Sequence, residues 1–190
     1  MKNSYIISLI LIIMLVVLVR LQFKIHDKQI VQSEAQEYMH ELKLYNYDEQ
    51  GGLKNFISAT SWKFIPKDQH SVIKQPNVTI YKYPSYFYNI TADSGNLIHK
   101  TLNGKIDLIK LFSQVNIKQQ HIDSTKKKSG FTLTTSYLEF DPKTELATTK
   151  QSVTIYKPGL LITGTGMNAD LKNNQLELHK NVATKYQNQH

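Results

Sequence analysis

The feature that most constrains this chain is a repeated pentapeptide. Val78-Thr-Ile-Tyr-Lys82 recurs as Val153-Thr-Ile-Tyr-Lys157, a shift of 75 residues, and Thr60-Ser61-Trp62 aligns with Thr135-Ser136-Tyr137 at the same shift. Ile65-Pro66 and Asp141-Pro142 correspond with one residue of slippage, and Ala92-Asp93 and Ala169-Asp170 lie at nearly the same distance. Two copies of one unit therefore fill most of the chain, and each needs the other to cover its apolar face.

The unit reads as β. Short runs rich in Thr, Ile, Val, Tyr and Phe alternate with turn clusters such as Gln75-Pro76-Asn77, Asp93-Ser-Gly-Asn96 and Lys172-Asn-Asn174. Only Ile106 to Phe112 is ambiguous between helix and strand. Period-two alternation turns Val78 and Ile80 inward in the first copy, and Val153 and Ile155 in the second. In the last strand Leu176, Leu178, Val182, Thr184 and Tyr186 share one face if no bulge intervenes. The expected fold is all-β and antiparallel, a sandwich or an open roll.

Ahead of the β region, Tyr5 to Leu21 is apolar except for Ser8 and Arg20. That length just suffices to cross a bilayer, with Arg20 reaching to the interface. A cleaved signal peptide is the competing reading, but no small-residue cleavage triplet follows. Lys2 precedes the span, and Arg20, Lys24 and Lys28 follow it, so charge alone points the large domain to the cytoplasm. The expected order is a tail over 1–4, an anchor over 5–21, a spacer over 22–50 and a β domain over 51–190.

Catalytic and cofactor chemistries find little support. Gly164-Thr-Gly166-Met-Asn-Ala169 fits G-x-G-x-x-A, but a strand follows it where a dinucleotide site needs a helix. Gly164 and Gly166 read instead as a tight strand approach. The seven histidines form no metal-ligand spacing, and a cysteine-free chain has no thiolate. No nucleophile–base motif or paired carboxylate emerges. A net charge of +8 favours acidic partners. Lys126-Lys-Lys128 is a basic loop between the copies. Tyr81-Lys82-Tyr83 has the look of a single-strand nucleic-acid binder, which a membrane anchor makes unattractive.

Taken in order, these features resemble the LptC family of lipopolysaccharide-export proteins. The motifs are Leu133-Thr-Thr-Ser-Tyr-Leu-Glu-Phe-Asp-Pro142, Val153-Thr-Ile-Tyr156, Thr163-Gly-Thr-Gly-Met-Asn-Ala-Asp170, Leu176-Glu-Leu178 and Asn181-Val182 through Tyr186. In the first copy Gln75-Pro76, Thr91-Ala92-Asp93-Ser-Gly95 and Val115 also fit. The resemblance implies an open β-jelly-roll of the LptA kind in the periplasm, tethered by a single inner-membrane span. It implies no enzyme activity and no cofactor or metal. The implied partners are lipopolysaccharide, an inner-membrane ABC transporter of the LptB/LptF/LptG type at the anchor and amino-terminal edge, and an LptA-type protein at the carboxy-terminal edge. On that basis Ile73, Val78, Ile80, Val153, Ile155, Ile162, Leu176, Leu178 and Tyr186 are expected to line a lipid groove. Val182, Thr184 and Tyr186 would form the downstream edge. A bitopic scaffold that binds no lipid is the competing function.

Overall fold

The computed structural model describes residues 37–65, 70–82, 84–99, 105–122 and 130–186. The expected anchor Tyr5 to Leu21 and the Lys126-Lys-Lys128 loop lie outside the described residues. Among the described residues no helix is long and apolar enough to cross a membrane.

Eleven strands follow one another: β1 (Tyr38–Tyr47), β2 (Leu53–Ile65), β3 (His70–Lys74), β4 (Asn77–Lys82), β5 (Tyr86–Thr91), β6 (Ser94–Ile98), β7 (Leu108–His121), β8 (Thr132–Asp141), β9 (Leu146–Lys157), β10 (Leu160–Asp170) and β11 (Gln175–Tyr186). All pairings are antiparallel, which agrees with the all-β reading. The ambiguous stretch ending at Phe112 enters strand β7. Its Ile109 and Leu111 are buried at a period of two.

Two long strands organise the first copy. Asn55 to Ser58 of β2 pair with β4, whereas Ser61 to Ile65 pair with β3. β7 divides likewise, with Leu108 to Phe112 on β6 and Asn116 to His121 on β5. The β4–β5 and β3–β6 ladders thus bridge the same two strands as two walls of one roll. β8, β9, β10 and β11 extend both walls, and β1 lies along the far side of β2.

The walls meet along a bend that crosses the sheet. Backbone hydrogen bonds run along it from Gln75 N–H to the Asp93 carbonyl and from Asp93 N–H to the Ser113 carbonyl. Left-handed φ values mark its bulges, +59° at Glu41, +46° at Gln75, +60° at Ser113, +76° at Gly166 and +52° at Asn181. An extra residue in one strand of a pair turns that strand, so bulges aligned across neighbours fold the whole sheet.

The sequence repeat is a structural one. Val78 and Ile80 in β4, and Val153 and Ile155 in β9, are all buried. Thr60 Oγ1 donates to the Lys74 carbonyl at the bend, and Thr135 Oγ1 donates to the Ser152 carbonyl at the matching place. Where Pro76 separates β3 from β4, copy two runs through as the single strand β9. One sequence alignment needs correction: Ala169-Asp170 is not the counterpart of Ala92-Asp93. Strand pairing sets Tyr86 and Leu160 opposite Lys82 and Lys157, which places Gly166 where Ala92 lies, at the bend.

The domain boundary also moves. β1 falls inside the 22–50 stretch expected as spacer, yet it pairs with β2 from Tyr38 to Tyr47 and buries Leu42. Apolar spacing that fits neither a helix nor a strand made it read as a tether. The β domain therefore begins at Tyr38, not Gly51.

Candidate binding cleft and free sheet edges

The interior of the roll is apolar along its length, and it opens near its carboxy-terminal end. Ile73, Val78, Ile80 and Val153 are no more than 1% exposed, and they pack with Ile90, Leu97, Ile109, Leu111 and Leu138 in one filled core. Past Ile155 the packing parts into a cleft of about 550 Å³. Tyr88, Phe131, Ile155, Ile162, Ala169, Leu171 and Leu176 line it together with the polar Gln119, Lys157, Asp170, Asn174 and Gln175. Leu178 packs against the core beside it, while Leu176 is 39% exposed.

Of the nine residues expected to line a groove, the structure brings Ile155, Ile162 and Leu176 to this cleft. Ile73, Val78, Ile80 and Val153 sit deeper in the core, and Tyr186 stands 84% exposed at the end of β11.

A bulge does intervene in β11. Thr165 pairs with Lys180 but Thr163 with Ala183, so β11 carries one more residue than β10 across the bend. Leu176 and Leu178 lie opposite Ala169 and Met167, and Thr184 and Tyr186 lie opposite Ile162 and Leu160. Gly166 bends β10 at the same level, so both stretches of β11 still face the roll's inner side.

Both glycines lie against β11. A Cβ at Gly164 would sit 3.1 Å from Leu178 Cδ1. One at Gly166 would sit 2.8 Å from His179 Nδ1, at a φ that side chains avoid.

Polar groups tie the two walls together at the strand ends away from the bend. Glu145, 5% exposed in the β8–β9 turn, pairs with Lys82 at the end of β4 and lies 3.6 Å from Lys54 at the start of β2. Tyr88 donates to Asn174 Oδ1 in the β10–β11 turn at 2.7 Å, and Gln119 Nε2 donates to the same oxygen at 3.3 Å. Burial, reinforced by the neighbouring Tyr86 hydroxyl, pushes the Tyr88 phenol far above its ordinary range, so it stays a neutral donor. Asp170, on the cleft rim, is held below the usual carboxylate range by the Asn173 backbone N–H and side-chain amide. Lys157 Nζ stands 5.9 Å from the centre of the Phe131 ring at the mouth.

Reading the sequence missed Tyr88, Phe131, Leu171, Asn174 and Glu145. Glu145 could not have been found, because Lys143-Thr144-Glu145 looks like any solvated turn. Tyr88 had a usable signal, since strand pairing makes it the counterpart of Ile162, a residue already expected in the groove.

The outer edges of β1 and β11 have no strand partner among the described residues. β11 exposes Leu176, Val182 and Tyr186, and β1 exposes Tyr38, Met39, Leu44, Tyr45 and Tyr47. Among the described residues no group of three or more His, Cys, Asp or Glu is placed to hold a metal.

An antiparallel roll with an apolar interior, a cleft near one end and, among the described residues, a free strand edge at each end is a β-roll module. A crystal structure of LptH, the LptA-homologous periplasmic component of the conserved lipopolysaccharide transport device from Pseudomonas aeruginosa, shares this fold. It matches at a TM-score of 0.50 and 10% identity, over 70% of this chain and 95% of that one. The model of the lipopolysaccharide-assembly, LptC-related family matches residues 5–187, and the chain belongs to that family. No curated protein matches it significantly. Its role lies in lipopolysaccharide transport in the cell envelope.

Proposed function

We propose that the chain is a non-catalytic carrier that receives lipopolysaccharide from an inner-membrane ABC transporter of the LptB/LptF/LptG type. It hands its cargo to an LptA-type periplasmic protein. Tyr5 to Leu21 is the single inner-membrane span, and the β domain stands in the periplasm. Lipid enters at the β1 edge and leaves at the β11 edge, where Val182, Thr184 and Tyr186 meet the next protein. Each edge is a row of unpaired backbone donors and acceptors, which strand addition by a neighbouring roll would satisfy.

The single observation behind this reading is the cleft beside β11, where apolar side chains of the roll's interior meet a rim of polar and charged ones. Acyl chains would lie against Ile155, Ile162 and Leu176 there. The other expected groove residues, from Ile73 to Val153, act as packed core unless the walls part.

Photo-crosslinking in cells tests this. A photoreactive residue at Ile162 or Leu176 should capture lipopolysaccharide, and one at the core position Val78 should capture far less. Protein adducts alone at all three positions would favour the scaffold reading. Protease treatment of spheroplasts tests the orientation: a domain cut only after lysis would refute a periplasmic location.

A further inference from the structure

The two copies put the same lysine to different uses. Lys82 and Lys157 end the same pentapeptide, 75 residues apart. Each sits at the outer end of its strand, with the parity of the buried Ile80 or Ile155. Lys82 pairs with Glu145, in the turn between the first two strands of the copy stacked after it. Lys157 belongs to the second copy, whose β11 is an edge strand of the sheet among the described residues. Among the described residues it has the Phe131 ring beside it and no carboxylate within pairing distance.

We infer that Lys157 is a docking cation, which pairs with a carboxylate in the turn joining the first two strands of the β-roll that stacks on β11. The inference rests on the proposal that a second roll adds at this edge. The internal Lys82–Glu145 contact then serves as the template for the contact between proteins. Such a charge also reads register. A one-residue slip along β11 turns every side chain of the incoming strand to the opposite face and carries the carboxylate away from Lys157. Backbone hydrogen bonds supply attraction without choosing among registers, so a fixed cation at the rim adds what they lack.

The test measures binding of the LptA-type soluble roll from the same cell to the full chain in detergent. Lys157→Glu should raise Kd about tenfold. Changing one acidic residue of the partner's first hairpin turn to Lys should restore affinity. Unchanged Trp62 fluorescence would show that the variant keeps its fold. Normal affinity of the Lys157→Glu chain would overturn the inference and leave docking at β11 standing. So would a loss that no reversal in that turn restores, or a turn without an acidic residue. Lost lipopolysaccharide crosslinking at Leu176 with unchanged partner affinity would assign Lys157 to a phosphate of the cargo instead, and also overturn it. No binding by the unaltered chain would overturn both the inference and the proposed docking edge.

Discussion

Glu145 gives the sharpest test of how the walls are held together. Its side chain is only 7% exposed, and its stronger partner Lys82 is 18% exposed. Lys82→Met keeps the aliphatic stem in place but leaves a buried carboxylate facing only Lys54, which is 37% exposed and 3.6 Å away. Removing one partner of a buried pair costs about 3–5 kcal/mol, and the remaining lysine puts this case near about 3. For a chain of this size that lowers Tm by about 6–12 °C. Lys54→Met should cost under about 1 kcal/mol, because solvent already screens that contact. Replacing both Lys82 and Glu145 with Met removes the stranded charge, so the double variant should lose less than Lys82→Met alone. Urea unfolding followed through Trp62, the only tryptophan, reads all three differences. A Lys82→Met loss below about 1 kcal/mol would refute the reasoning. A double variant less stable than the single one would refute it too, since the pair would then be more than a compensated charge.

The bend and the cleft rim yield three further predictions. Gly166→Val forces a β-branched residue to a φ of +76° against His179 and should cost about 1–3 kcal/mol, whereas Gly164→Ala has its one tight contact with the movable end of Leu178 and ordinary contacts with Leu178 Cβ and the Lys180 carbonyl, and should cost under about 1 kcal/mol; urea midpoints compare them. Thr135→Val removes a part-buried hydrogen bond to the Ser152 carbonyl and should cost about 1 kcal/mol, more than Thr60→Val at the exposed counterpart, by the same assay. Asp170 has a lowered carboxyl range in the fold, so its hold on Asn173 is complete above the ordinary carboxylate range and is lost as pH falls through the lowered one; the protection of the Asn173 amide against hydrogen exchange, relative to its intrinsic rate at each pH, should fall over that acid interval, and Asp170→Asn should abolish the dependence.

Much of the architecture was legible from local pattern. A pentapeptide recurring 75 residues apart, with apolar residues at a period of two, established two β units and identified Val78, Ile80, Val153 and Ile155 as inward-facing. These are properties of neighbouring residues on one strand, and alternation reports them directly. It could not distinguish a filled core from an open cleft. Ile80 and Ile162 look alike in sequence, but the first is sealed between two walls and the second lies where those walls part.

The tertiary structure alone decided which residues meet across the roll. Glu145 reaches back 63 positions to Lys82, and Asn174 reaches back 86 to Tyr88, because the bend brings strand ends together that no period along the chain connects. It decided that β1 belongs to the sheet, since a strand with one buried side chain owes its place to backbone pairing that composition does not encode. It also separated two lysines of identical local sequence. The stacked second copy supplies Lys82 with a carboxylate, while Lys157 lies in the copy whose β11 is an edge strand among the described residues.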